Sequence, residues 1–318
     1  VDNRMMGFML IIFQSLLFIF LAPATIGLVK WLKCKLQNRR GPSIFQPYRD
    51  LQKLFRKNIT LAENATQIFR VTPYIVFATT IVISAAIPFF AINPSAKIFA
   101  DVIVLVGLFA LSRFFLALAG MDIGTAFGGM GSSREMMISA IAEPVLLLAF
   151  FAVAMIASST NLSVIVTNLL QQQILAHPSL IFAAIGFAIV VIAETGRIPV
   201  DNPATHLELT MVHEAMILEY SGRHLALLEW AAQLKFMIYC VLFIDLFLPW
   251  GIASNISLST VAISCFITIV KLIILCVVLV VAETNLAKLR LFRVPYLLNF
   301  AFLLCLLGML IHIILEAN

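Results

Sequence analysis

The sequence predicts an all-α fold, a polytopic membrane bundle of about eight transmembrane helices, each about 20 residues long. Three observations predict it. The composition is 62% hydrophobic and 12% charged, whereas a soluble domain carries about 25% charged residues. Mean hydropathy is +1.05. Apolar runs recur at bilayer-crossing length, separated by short polar segments. Bundled spans fold as one unit, so residues 1–318 are read as a single integral membrane domain.

The runs are taken in order. Residues 5–29 are too long for a signal-peptide core and no small-residue cleavage site follows, so they stay as a span. Residues 30–70 are polar and basic. Within them PYRDLQKLFRKN places Tyr48, Leu51, Leu54 and Phe55 on one helical face and Arg49, Gln52, Lys53, Arg56 and Lys57 elsewhere, the pattern of an interfacial amphipathic helix. Spans at 71–92 and 98–119 lead to a loop at 120–135, where GGMG (128–131) offers backbone freedom. A span at 136–157 precedes a polar loop at 158–177. A short run at 178–193 opens into 194–224, ETGRIPVDNPATHLELTMVHEAMILEYSGRH, which concentrates acids, arginine and histidine. Spans at 225–250, 258–282 and 295–315 complete the chain.

Lysine and arginine set the orientation. Lys30, Lys33, Lys35, Arg39, Arg40, Arg49, Lys53, Arg56, Lys57 and Arg70 follow the first span; Arg134, Arg197, Arg223, Lys288, Arg290 and Arg293 follow the third, fifth and seventh; the other side has Arg4 and Lys97. Odd spans therefore end in the cytoplasm and both termini face outward, in a cytoplasmic (inner) membrane. This bias accounts for a pI near 9.0. The basic residues flank spans and do not interleave with exposed aromatics, so no nucleic-acid partner is expected; the lipid bilayer is.

Cys34, Cys240, Cys265, Cys276 and Cys305 form no CxxC and mostly sit in apolar runs, as buried small residues do. No metal site and no cofactor are expected in this chain, although His206 and His213 could share a helical face. Ionisable residues inside spans are costly and normally face the interior, paired or wet. Here they are Asp101, Arg113, Glu143, Glu194, Glu229, Lys235, Asp245, Lys271 and Glu283. Arg113 and Glu143 are a candidate ion pair. Lys235 and Lys271 are expected at similar depth, and Glu283 about 18 Å along the helix from Lys271. Acids and lysines graded in depth are candidates for loading and releasing protons. Pro199 and Pro203 favour a fixed loop. From Thr205, Leu207, Met211, Ala215 and Leu218 allow a surface helix with Glu208 and Glu219 facing inward and His213 and Glu214 facing elsewhere.

NRRGPSIFQPYRDLQKLF (38–55), SREMM with AEP (133–144) and AETGRIPVD…EYSG (193–222) resemble the complex I subunit 1 family, over nearly the whole chain. The likeness is closer to its hydrogenase branch, the membrane subunits of formate hydrogenlyase and group 4 membrane-bound [NiFe] hydrogenases. The resemblance implies a subunit that anchors a peripheral redox arm, with an acidic funnel leading into the membrane. It implies partners: hydrogenase large and small subunits, iron–sulfur subunits and antiporter-like membrane subunits. The Ni–Fe and iron–sulfur clusters would belong to those partners. Carried over by position, Glu194, Arg197, Asp201, Glu208, Glu219 and Tyr220 belong to an acidic inner loop, Arg39, Arg40, Gly41 and Pro42 to a first docking loop, and Arg134 and Glu143 to the loop and span of the same funnel. Taken with the charges inside the spans, the candidate ion pathway comprises Arg113, Glu143, Glu194, Asp201, Glu208, Glu214, Glu219, Lys235, Lys271 and Glu283. The docking interface comprises Arg39, Arg40, Gly41, Pro42, Arg49, Asp50, Arg134, Arg197 and Tyr220, in cytoplasmic loops 30–70, 120–135 and 194–224. The sequence departs from the quinone-type pattern at Ala204 and His206, where that pattern has acids, in a longer stretch from Glu208 to EYSG, and in RRGP running almost directly into QPYRD. These departures weigh against a quinone site. The implied function is coupling of electron transfer to proton or sodium translocation by a non-catalytic subunit. The rival readings are the quinone-site subunit of an NADH:quinone oxidoreductase, an independent ion transporter and a passive anchor.

Overall fold

The computed structural model of the chain describes residues 2–92, 100–171, 178–201, 212–253 and 258–316. Eleven α-helices are present among them: α1 (Asp2–Leu36), α2 (Gln46–Phe55), α3 (Gln67–Ala86), α4 (Val102–Asp122), α5 (Ala126–Ala157), α6 (Leu162–Gln171), α7 (Ser179–Glu194), α8 (His213–Ile217), α9 (Gly222–Phe247), α10 (Leu258–Asn285) and α11 (Val294–Ile311). Seven are long and apolar enough to cross a membrane, and α7 is a shorter apolar helix. With α7 as the predicted short fifth span, the count of about eight is met. A helix satisfies its own backbone polar groups, which hydrocarbon demands. The chain is a multi-pass helical membrane protein.

Helix α9 is the centre of the bundle. About 67% of its most apolar window is buried, against 28% for α1 and α10 and 22% for α11. Its inward side chains meet those of α4 and α7 in an aromatic core: Phe109 stacks on Tyr239 at 4.6 Å, and Phe187 packs against Phe150, Phe243 and Phe247 at 5.6, 6.2 and 5.8 Å. The two ends of the bundle differ. At the basic end, Thr60 bonds Ser221, Thr66 bonds Asp122 and the Leu289 amide donates to Pro199 O. At the far end, residues 87–92 leave α3 as buried irregular chain, and Ala91 pairs with Ala253.

Three local expectations change. The amphipathic helix forms as α2, shorter than PYRDLQKLFRKN, because Arg56 closes it. GGMG is not a flexible loop: α5 starts at Ala126, with the Thr125 hydroxyl accepting from Gly128 N. These glycines serve close packing. A Cβ on Gly128 would lie 2.1 Å from Gly120 O, and one on Gly131 would lie 2.9 Å from Ala215 Cβ. In the loop read at 158–177, α6 is an apolar helix with Leu162, Ile165, Val166 and Leu169 buried. Ten residues are too few to register as a span, and Thr167, Asn168 and Gln171 broke the apolar run.

Candidate functional site

A chain of alternating charge crosses the bundle beneath the basic end. Helices α4, α5, α7 and α9 supply Arg113, Glu143, Glu194 and Lys235. Lys235 Nζ lies 3.0 Å from Glu194 Oε2, Arg113 Nη2 lies 2.9 Å from the same oxygen, and Arg113 Nη1 lies 3.1 Å from Glu143 Oε1. Tyr239, one turn beyond Lys235 and so on the same face of α9, places its hydroxyl 3.4 Å from Glu194 Oε2. The Arg113 nitrogens meet the carboxylates at ion-pair distance but outside hydrogen-bond angles. The predicted Arg113–Glu143 pair is therefore present as one link of a longer chain. The Arg113 and Glu194 side chains are 3% and 2% exposed, whereas Glu143 is 35% exposed, so the chain runs from the interior to the flank of α5.

Its inner end opens on a cavity of ≈ 80 Å³ lined by Arg113, Glu135, Glu194, Asp201, His213 and Lys235 among other residues. That is room for about five waters. A water-filled cavity with these charges can pass protons along hydrogen bonds, which a dry ion pair cannot. Such an arrangement is weak support for stability, since desolvation offsets the Coulombic gain. Its concentration of charge at a cavity marks a candidate functional site. Burial holds the His213 imidazole below its ordinary pKa, against the opposing pull of Glu214 and Asp201 and with Lys235 reinforcing the shift.

A second network locks the turn after α7. Glu283, at the end of α10, meets Lys33 of α1 at 3.0 Å and Arg197 at 2.7 Å, and the Arg197 guanidinium lies over Phe236 at 3.9 Å. Lys288 reaches Asp201 at 3.0 Å, whose other oxygen accepts from Val212 N at 3.3 Å. Asp201 thus belongs to both the clamp and the cavity wall.

Other site expectations fare differently. Glu219 is exposed and His213 lines the cavity, the reverse of the projection from Thr205. The reason is that α8 ends at Ile217, so helical periodicity does not extend to Leu218 and Glu219. Glu214 is half-buried and lies off the cavity lining. Glu208 and His206 lie outside the described residues. Lys271 is not at the depth of Lys235: its Nζ bonds Leu248 O and Trp250 O past the far end of α9, because α10 extends beyond that end. Among docking residues, Arg39, Arg40, Gly41, Pro42 and Arg49 are exposed, and Arg134 and Asp50 are half-buried, Asp50 accepting from Gln46 Nε2. Arg197 is turned inward on Glu283, and Tyr220 is 4% exposed, stacked on Phe69 at 3.8 Å with its hydroxyl donating to Phe69 O. Burial raises the Tyr220 pKa. Both are held toward the interior by these contacts. Glu135, Tyr239, Lys33 and Lys288 were missed as site residues. Glu135 lies inside SREMM and Tyr239 lies one turn from Lys235, so both had a signal; the partners Lys33 and Lys288 had none beyond their place in basic loops.

Known proteins can now be set beside this geometry. A family model described as NADH dehydrogenase matches residues 8–315. The chain belongs to that family. This NADH dehydrogenase family chain is 34% identical over 276 residues to hydrogenase-4 component C of Escherichia coli, covering 86% of each. It is 32% identical over 282 residues to formate hydrogenlyase subunit 4 of the same organism, covering 89% of this chain and 91% of that protein. NADH-quinone oxidoreductase subunit 8 of Rhodothermus marinus is 30% identical over 196 residues, covering 58% of this chain and 55% of that one. A solved structure of the membrane-bound sulfane sulfur reductase, an archaeal respiratory membrane complex, contains a chain that superposes with a TM-score of 0.82 at 20% identity, covering 96% of this chain and 99% of that one. At that identity the likeness speaks to fold alone. The family resemblance read from the motifs is met, and hydrogenase-type relatives match over nearly their full length.

Proposed function

We propose that this chain is the membrane-arm subunit that seats the peripheral redox arm of a membrane-bound [NiFe] hydrogenase of the formate hydrogenlyase kind and couples electron transfer there to movement of protons or sodium ions. The observation that carries this reading is the unbroken chain Lys235–Glu194–Arg113–Glu143, which joins a polar cavity near the basic end to the flank of α5. Its near-full-length likeness to two hydrogenase membrane subunits supports the branch. The redox chemistry belongs to partner subunits, the hydrogenase large and small subunits and the iron–sulfur subunits, which hold the Ni–Fe and iron–sulfur centres. Antiporter-like subunits receive charge at the Glu143 flank.

The exposed Arg39, Arg40, Gly41, Pro42 and Arg49 belong to the surface that meets the arm, with the basic end in the cytoplasm and both termini outward in the cytoplasmic membrane. A change at the arm moves the 195–201 turn, and with it Asp201 and the cavity wall. This is a coupling between two states of that turn.

The test is ion translocation by the purified complex in liposomes. Glu194→Gln and Glu143→Gln are expected to lower it at least about tenfold, a barrier change of about 1.4 kcal/mol, while the complex assembles and hydrogen turnover continues. Normal translocation by both variants overturns the reading. Quinone-dependent turnover blocked by a quinone-site inhibitor would favour the complex I alternative, and transport by the isolated chain would favour an independent transporter.

A further inference from the structure

At the far end of the bundle lies a polar site that the inner chain does not reach. Asp245 on α9 is fully buried, and neither carboxyl oxygen has a hydrogen-bond partner among the described residues. From α10, Lys271 extends its ammonium to Leu248 O at 2.6 Å and to Trp250 O, with the Trp250 ring 4.9 Å from its nitrogen. These carbonyls belong to the C-cap residue Leu248 and the turn that follows α9, so a lysine from α10 caps the exit of that helix. Trp250 is 55% exposed and half-covers the ammonium on the open side. No ion pair joins Lys271 to Asp245 among the described residues, but Lys271 Nζ is anchored on Leu248 O, less than one turn along α9 from Asp245. Around them are the Ser264 hydroxyl, which donates to Phe90 O and Gly251 O, and Thr268, which bonds Ser264 O.

Asp245 is about 15 Å along α9 from Lys235. Between the two lie Tyr239, Phe243 and the ring of Phe187, packed edge to face and tilted against one another without polar contacts beyond the Tyr239 hydroxyl. The far site is thus separated from the inner cavity by aromatic rings and is open on the side of the exposed Trp250.

We propose that Asp245 and Lys271 form a second, separate proton-carrying site at the far end of the bundle, whose lysine alternates between the carbonyl cradle of Leu248 and Trp250 and the Asp245 carboxyl. An unpartnered buried carboxylate is heavily disfavoured, so the site holds a proton on Asp245 while the ammonium sits on the cradle. A neutral lysine holds the two carbonyl acceptors more weakly than the ammonium does and turns to the acid. The Asp245 carboxylic acid then gives its proton to the Lys271 amine, leaving carboxylate and ammonium. Back on the cradle beside Trp250, the ammonium gives a proton to water as hydronium and becomes the amine again, and Asp245 is recharged by a proton arriving from within the membrane arm. The ligand is a proton, exchanged with the outer aqueous face. The transport role rests on the reading of this chain as an ion-coupling subunit; the protonated site itself does not.

Two measurements on the purified complex with its partner subunits separate these. Infrared spectroscopy is expected to show the carbonyl stretch of a protonated carboxylic acid that disappears in Asp245→Asn. Its exchange with heavy water is expected to slow at least tenfold in Lys271→Met and to stay slow in Lys271→Arg, whose guanidinium does not give up its proton. Absence of that band, or exchange indifferent to Lys271, overturns the site. In liposomes, Asp245→Asn and Lys271→Met are each expected to lower proton release at least tenfold with hydrogen turnover retained, and the double variant is expected to be no worse than either single one. Normal release by both, with release lost in Glu194→Gln, removes the far site from any path while leaving the inner reading intact. Normal release in all of these variants defeats the inner reading as well. Radioactive sodium bound by the wild-type complex and lost in Asp245→Asn overturns the proton assignment in favour of a sodium site.

Discussion

Arg113 is the residue on which the inner charges depend. It is the cation between the two carboxylates that α5 and α7 bring together. Replacing it with methionine leaves Glu194 with Lys235 alone and Glu143 without a counter-charge at ion-pair distance among the described residues. Removing one partner of a buried pair costs about 3–5 kcal/mol, so Arg113→Met is expected to lower the thermal midpoint of the purified complex by several degrees and to reduce its assembled yield. A loss confined to transport, with unchanged melting, would contradict this. His213 gives a pH dependence with a defined sign. Burial favours its neutral form in the folded state, so the unfolded chain binds the proton first as pH falls below about 6.5. Its contribution is complete above that value and is lost as pH falls toward the depressed folded value. Asp201, Glu214 and Lys235 are the charged groups acting on it. Melting of the wild-type complex is expected to fall between about pH 7.5 and 5.5 more steeply than that of His213→Gln; parallel curves would show that His213 carries none of the dependence.

Elements meet at the basic end through close backbone approach. Gly222 opens α9 with φ +54°, and a Cβ there would lie 2.5 Å from Asn58 O. The left-handed conformation alone costs an L-residue about 1–2 kcal/mol, and the carbonyl contact adds to it. Gly222→Ala is expected to loosen the junction of α9 with the 56–60 segment, read as a lower melting midpoint and faster proteolysis at that segment, with Gly129→Ala as a neutral control because a Cβ there meets nothing within 4 Å. The helix boundaries were legible where the apolar runs were long and uninterrupted. They were missed at α6 and at the start of α5, where a short helix and a glycine run gave a weak periodic signal. Small residues in α5 read as looseness in one dimension; in three dimensions they are the places where α4 and the 212–215 segment come closest.

For the whole molecule, charge is sorted by end and by depth. The exposed basic residues Arg39 and Arg40 follow α1, while the acids lie beneath them in the cavity and clamp. Under the proposed function this surface receives a soluble arm. Arg39→Glu with Arg40→Glu is expected to reduce co-purification of the hydrogenase subunits at least severalfold and to make the remainder salt-sensitive, as screening of exposed charge requires. Undiminished recovery at low salt would place docking elsewhere. The inner site was partly legible: Arg113, Glu143, Glu194 and Lys235 stood out because charge in a span is costly, but their assembly into one chain did not. Lys271 shared that signature and belongs to the other end. Depth along a helix was inferred from span boundaries, and α9 and α10 are offset by more than those boundaries conveyed. Arg197 and Tyr220 looked like docking residues because they sit in a polar loop, yet each is turned into the fold by a specific partner.

Composition and the spacing of apolar runs determined by themselves that this chain is a helical membrane bundle with a basic end, since hydrocarbon admits no other way to satisfy a lone polypeptide's backbone over such lengths of apolar sequence. Its motifs determined the family. Only the tertiary structure decided which charges share a site, because a pairing near 3 Å depends on helix offset, rotation and partners far apart in sequence, as with Arg113 and Glu194 or Lys33 and Glu283, none of which a local pattern of residues encodes.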